Sequence, residues 1–172
     1  MTAAEAYDLT TRGGATDFAT VIAACESAGS YCLIGGLAVN AYVEPVYTLD
    51  ADIVMLSAHL PPLASDLERQ GFAIEQHPHS LNATSPRSDL RIQFTTDPRY
   101  QDFPSRAVSR EVLGCRVRIA SLRDVTQGNL WAYAERRLSK RKKDELDLIR
   151  LAESYPELKA LYPPALACQI DA

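Results

Sequence analysis

The feature that most constrains the fold is a glycine pair, Gly35-Gly36, set between an apolar run and a segment that opens on two acids. Tyr31-Cys32-Leu33-Ile34 is short and wholly apolar, which suits a buried strand. Leu37 to Tyr42 reads as a short helix that has to end before Pro45. The two glycines therefore mark a strand-to-helix turn. Leu49 to Leu56 is the clearest strand in the chain, with Asp50, Asp52 and Val54 on one side and Ala51, Ile53 and Met55 on the other. Side chains two apart on a strand are about 7 Å from one another, so the two carboxylates can converge on one cation. Like charges facing one way are tolerated when a divalent metal neutralises them. Two solvated acids on an exposed face are the plain alternative. Glycines at such a turn also let backbone N–H groups approach a phosphate, where an ordinary tight turn would need nothing from a ligand.

At 172 residues the chain is long enough for one ordinary domain and too short for two. The expectation is a single α/β (α+β) unit over residues 1–172, with a core at about 17–120 and C-terminal helices at about 121–158. Its mixed, twisted sheet has four to six strands and flanking helices. The first dozen residues read as a loose lead-in. Thr16 or Asp17 can cap a helix whose apolar positions are Phe18, Val21, Ile22 and Cys25, and Gly29 stops it. Pro61-Pro62 opens a helix to Gln70, and Phe72 to Gln76 is a strand. His77 to Arg87 reads as a loop, and Asp97 to Pro104 as another.

Ser88 to Thr95 alternates, with Leu90, Ile92 and Phe94 inward and Asp89, Arg91 and Gln93 outward. Asp89 is thereby a candidate third acid beside the pair, able to ligate a metal and help deprotonate a hydroxyl. Asp97 is its rival, in a turn-like Asp-Pro context. Two strands meet at Leu113-Gly114. Ser121 with Asp124 opens a helix to about Ala134, and a last helix covers about Lys140 to Ser154.

Eighteen basic residues against 22 acidic ones, a net charge of -4, exclude a strongly basic nucleic-acid coat but not a local basic patch. That patch is Arg136 to Lys143, where six of eight residues are Arg or Lys. On a helix Arg136, Lys140, Lys143 and Asp147 are neighbours, with Asp144 beside them. They read either as a solvated charged face or as cations aimed at a polyanion. The four cysteines lie far apart without a C-x-x-C pair, which points to reduced thiols. No secretory signal and no membrane-spanning stretch is expected, and the chain reads as cytoplasmic. His59, His77 and His79 lack ligand spacing with the acids, and there is no Walker-type phosphate loop and no Ser/His/Asp or Cys/His arrangement.

The stretch Tyr31 to Met55 resembles the signature of the polymerase-beta-like nucleotidyltransferase superfamily, a Gly-Gly or Gly-Ser turn, a helix, then a strand carrying D-x-D. Leu130 to Leu158 is similar to the C-terminal helices of its small bacterial members, the minimal nucleotidyltransferases and the abortive-infection type toxins. The resemblance implies transfer of an NMP from an NTP to a hydroxyl of RNA (tRNA), protein or a small molecule, with an antitoxin as a partner if the chain is a toxin. It implies that Gly35 and Gly36 hold the phosphates, with Thr48 assisting. Asp50, Asp52 and Asp89 would bind two Mg2+ ions and act in catalysis. Lys140, Lys143 and Asp144 would serve the nucleotide. Relatives often carry Arg where Val46 stands and Lys where Asn129 stands. Those two departures favour the alternative, a nucleotidyltransferase-fold binding or regulatory protein without turnover. A metal-dependent phosphodiesterase is a third reading, disfavoured by histidines that lie away from the acids.

Overall fold

The apolar run and the acidic segment lie side by side at the middle of a seven-stranded mixed sheet. A computed structural model describes residues 1–172. The chain begins with α1 (Ala3–Thr10) and α2 (Gly14–Ala28), followed by β1 (Tyr31–Ile34), α3 (Gly35–Val39), β2 (Asp50–Met55) and α4 (Leu60–Arg69). Next come β3 (Ala73–His77), β4 (Ser80–Thr84), β5 (Arg91–Thr95), β6 (Val108–Val112) and β7 (Cys115–Ile119). Three helices close the chain, α5 (Leu122–Glu135), α6 (Leu138–Ser154) and α7 (Pro164–Ile170). The strand order is β3-β4-β5-β2-β1-β7-β6. β2 runs antiparallel to β1 and parallel to β5, and β1 runs parallel to β7.

Burial explains which strands sit centrally. Tyr31, Cys32 and Leu33 of β1 and Ala51, Ile53, Val54 and Met55 of β2 are all inaccessible to solvent. Such strands need cover on both faces. β4 and β5 alternate instead. Leu81, Ala83, Ile92 and Phe94 point into the core, whereas Thr84, Arg91 and Gln93 are exposed. α4 turns Leu60, Leu63 and Leu67 inward and packs on α2 and β3. α5 and α6 pack on each other and on α3. One hydrophobic cluster joins these elements.

Three expectations are corrected. The lead-in is a helix: Thr2 Oγ1 accepts from Glu5 N at 3.1 Å and Glu5 Oε2 from Thr2 N at 2.6 Å, a reciprocal cap. α2 starts at Gly14, ahead of Thr16 and Asp17. Asp17 is buried and accepts from Ser88 Oγ at 2.7 Å and Arg87 Nε at 3.2 Å. The polar stretch after His77 contains β4, paired antiparallel with both β3 and β5, which raises the sheet to seven strands. Its inward residues are only Leu81 and Ala83, too short a pattern to stand out.

α1 also reaches the middle of the molecule. Tyr7 Oη donates to the Thr48 carbonyl at 2.7 Å, two residues before Asp50. Tyr7→Phe removes that donor and leaves the buried carbonyl unpaired, so it is expected to lower stability by about 1 kcal/mol in urea unfolding.

Candidate active site

The parallel register of β2 and β5 decides what surrounds the acidic pair. Asp50 lies opposite Arg91, and Asp52 opposite Gln93. Asn82 and Glu75 continue the Asp52 row across β4 and β3. This polar face forms one wall of a cleft of about 470 Å³, and Gly35 and Gly36 line it too. The other wall is cationic: Arg136 and Arg137 between α5 and α6, then Lys140 and Lys143 on α6.

Gly35 is required by the geometry. Its φ is +69°, and a Cβ there would lie 2.4 Å from Asp52 Oδ2. The turn and the carboxylate are thus fitted to one another. Gly36 is not constrained this way, since its Cβ would meet Thr48 Cγ2 at 3.6 Å, an ordinary contact.

The two acids have different surroundings. Asp50 Oδ1 accepts from Arg91 Nε at 2.8 Å, and Oδ2 from Lys143 Nζ at 3.2 Å. Burial pushes the Asp50 carboxyl up, but Lys143 and Arg91 outweigh it and hold it below the usual range. Lys143 Nζ also donates to Thr48 Oγ1 at 3.0 Å, so the ammonium is fixed between the two side chains. Asp52 makes no ion pair. Burial above all, with Asp50 and Asp144 nearby, raises its carboxyl to about 6 against the pull of Arg136 and Lys143. Asp144 is raised by burial as well; its Oδ1 accepts from Arg136 Nη1 at 3.2 Å, and its Oδ2 is buried without a partner.

A smaller pocket of about 220 Å³ adjoins the cleft and shares Gly35, Asp52, Gln93, Asn129 and Arg136 with it. Its far wall holds Asp97, Arg99, Tyr100 and Glu135. Arg99 donates to both Asp97 and Glu135, and its guanidinium lies 5.0 Å from the Trp131 ring centroid. Asn129 is buried on the shared wall, and its Nδ2 has no partner.

Of the sequence candidates, the structure brings together Gly35, Gly36, Asp50, Asp52, Lys140, Lys143 and Asp144, with Thr48 touching Lys143. Asp89 stands apart. β5 begins only at Arg91, the Asp89 amide donates to the Thr11 carbonyl, and the Arg12 guanidinium holds the exposed carboxylate. Asp89→Asn should therefore leave nucleotide affinity, measured by calorimetry, unchanged. The rival Asp97 does reach a site wall, though in the smaller pocket. Arg136 of the basic patch joins the site, and so do Arg91 and Gln93, which were not singled out. For Arg91 and Gln93 the signal was available, because they share the outward face of the strand that was expected beside the acidic pair.

No three acids, histidines or cysteines converge in a way that could hold a metal ion. The donor set at the acidic pair fits one hard divalent cation held by Asp50 and Asp52, with phosphate and water completing its shell. It does not fit the two ions that the resemblance implies, because the other carboxylates nearest the pair are engaged elsewhere, Asp144 by Arg136 and Asp147 by Arg150.

This is the polymerase-beta-like nucleotidyltransferase fold. The chain is similar to the antibiotic-resistance factor ANT(2'')-Ia (16% identity over 85% of this chain and 91% of that one, TM-score 0.56). It is also similar to the lincosamide antibiotic adenylyltransferase LnuA, solved with lincomycin bound (15% identity, 73% and 87%, TM-score 0.52). A third similar structure is an antigenic nucleotidyltransferase-like protein from Paracoccidioides brasiliensis (15% identity, 92% of each chain, TM-score 0.54). No family model and no curated protein matches the sequence. No helix is long and apolar enough to cross a membrane.

Proposed function

We propose that the chain transfers an NMP from an NTP to a hydroxyl of a small molecule. The observation that carries this reading is one cleft with Asp50 and Asp52 on its floor, fitted to the Gly35 turn, and Arg136, Arg137, Lys140 and Lys143 opposite. Four cations facing two acids, with Arg136 held by Asp144 and Lys143 by Asp50 and Thr48, suit a polyanion that arrives with its own metal. The triphosphate lies along α6, and the acceptor enters by way of the smaller pocket, so that Asp52 stands between them. The acceptor hydroxyl loses its proton to solvent, its oxygen bonds to the α-phosphorus as the bond to the β-phosphate oxygen breaks, and pyrophosphate leaves. A divalent ion such as magnesium, when bound by Asp50 and Asp52, neutralises phosphate charge and makes the phosphorus a better electrophile. Arg136, Lys140 and Lys143 orient the chain of phosphates and stabilise charge on the leaving group.

A small acceptor is favoured by the size of the second pocket and by neighbours whose acceptors are antibiotics. RNA (including tRNA) and protein are the competing acceptors, and a toxin with an antitoxin partner would use one of them. Labelled NTPs incubated with magnesium and separate pools of small hydroxylated metabolites, total RNA and protein decide between them. Label in the metabolite pool alone is expected; label in RNA would move the chain to the toxin reading.

A second reading is nucleotide binding without turnover, and Gln93 favours it by standing where a third acid would complete the site. NTP affinity in calorimetry with no label transferred to any pool would establish it.

A further inference from the structure

We propose that this cleft takes its nucleotide with a single divalent cation, and that Lys143 and Arg91, both seated on Asp50, supply the positive charge that a second ion would otherwise bring. The inference rests on the nucleotide reading above and departs from the two-ion arrangement that the resemblance implies. Neighbouring strands are about 4.8 Å apart, so within the sheet the side chains able to share an ion with the acidic pair are those directly opposite on β5. These are Arg91 and Gln93. The first is a cation. The second offers an amide oxygen without charge. On the other flank of β2, the residue opposite Asp52 is Ile34, which offers no side-chain donor.

Asp50 already has a cation on each oxygen, Arg91 Nε at 2.8 Å and Lys143 Nζ at 3.2 Å. A carboxylate oxygen has a further lone pair, so Asp50 can still share one ion with Asp52. A second ion would lie between two fixed positive groups with no carboxylate of its own. Lys143 is held a second time, because Thr48 Oγ1 also accepts from the ammonium at 3.0 Å. Asp144 and Asp147, which also line the cleft, do not supply the missing acid, because Arg136 occupies Asp144 Oδ1, its Oδ2 is buried, and Arg150 occupies Asp147 Oδ1 at 2.7 Å. The ammonium and guanidinium therefore supply charge that in a three-acid site comes from metal, in a form that does not depend on metal supply.

The test counts ions. Mn2+ is titrated into wild-type protein holding the α,β-methylene analogue of the NTP that binds best in calorimetry, and free Mn2+ is read by electron paramagnetic resonance. One Mn2+ per bound nucleotide is expected for wild type. Gln93→Asp, which places a carboxylate opposite Asp52, is expected to bind two, and Gln93→Glu serves if the shorter acid fails to fold. Two ions in wild type, no ion in wild type with the nucleotide bound, or a folded acidic variant that stays at one would each overturn the proposal. Absence of nucleotide binding in calorimetry would instead remove the nucleotide reading, and the ion count separates these failures.

Discussion

Asp52→Asn is expected to slow label transfer by roughly 10²-fold or more, a loss of about 2.7 kcal/mol in transition-state stabilisation, while the protein melts no lower than wild type at neutral pH. The two halves of this result have different origins. Asparagine keeps the shape that fits Gly35 but removes the charge that faces the nucleotide's metal. Stability moves the other way. The wild-type carboxylate is penalised by burial and by Asp50 and Asp144, and it lacks an ion-pair partner. Taking away a charge that folding disfavours does not destabilise the native state. Activity is read by label transfer at saturating NTP and stability by thermal unfolding without nucleotide. A variant as active as wild type would take Asp52 out of the chemistry, whereas a clearly lowered melting point would mean that its carboxylate supports the fold.

The second large effect contrasts the two glycines. Gly35→Ala should destabilise by about 2 kcal/mol or more, lowering the melting temperature by about 4–8 °C, because an L-residue pays about 1–2 kcal/mol in the left-handed region before any clash is counted. The clash is severe, since the new methyl would lie 2.4 Å from Asp52 Oδ2. Asp52 has to turn away, so transfer should fall along with stability. Gly36→Ala meets no such barrier. Its methyl has room, and within a helix alanine is favoured over glycine by up to about 1 kcal/mol. The expected result is a protein that melts no lower than wild type. Equal melting of the two variants would show that the fit between turn and carboxylate is loose.

The centre of the sheet was legible because its signals are local and dense. Tyr31 to Ile34 is wholly apolar, Asp50 to Met55 alternates with acids on one side, and Ser121 with Asp124 caps a helix as its spacing says. β4 was not legible, since Leu81 and Ala83 are a weak pattern and the neighbouring Pro78 and Pro86 argue for loops. α1 hid for another reason. Its apolar face is little more than Tyr7, and what fixes it is a hydrogen bond 41 residues away. The site was half legible. Asp50, Asp52 and the α6 cations follow from pattern, but the choice of cross-strand neighbour depends on register. A strand beginning at Ser88 puts Asp89 beside the pair; one beginning at Arg91 puts Gln93 there instead. The chain leaves its strand path before Arg91 because the Asp89 amide bonds to Thr11 and the Arg12 guanidinium takes the carboxylate. The partners, Arg12 and Thr11, come from a turn 77 and 78 positions back, beyond any local window.

The Tyr7–Thr48 bond has a practical consequence for anyone handling the protein. Because the opening helix is tethered to the residues that lead into the acidic strand, trimming the first dozen residues would loosen the support under Lys143's anchoring hydroxyl. Weak nucleotide binding in such a shortened preparation would then reflect the lost tether and not the cleft itself. A tag at the opposite terminus leaves that tether untouched.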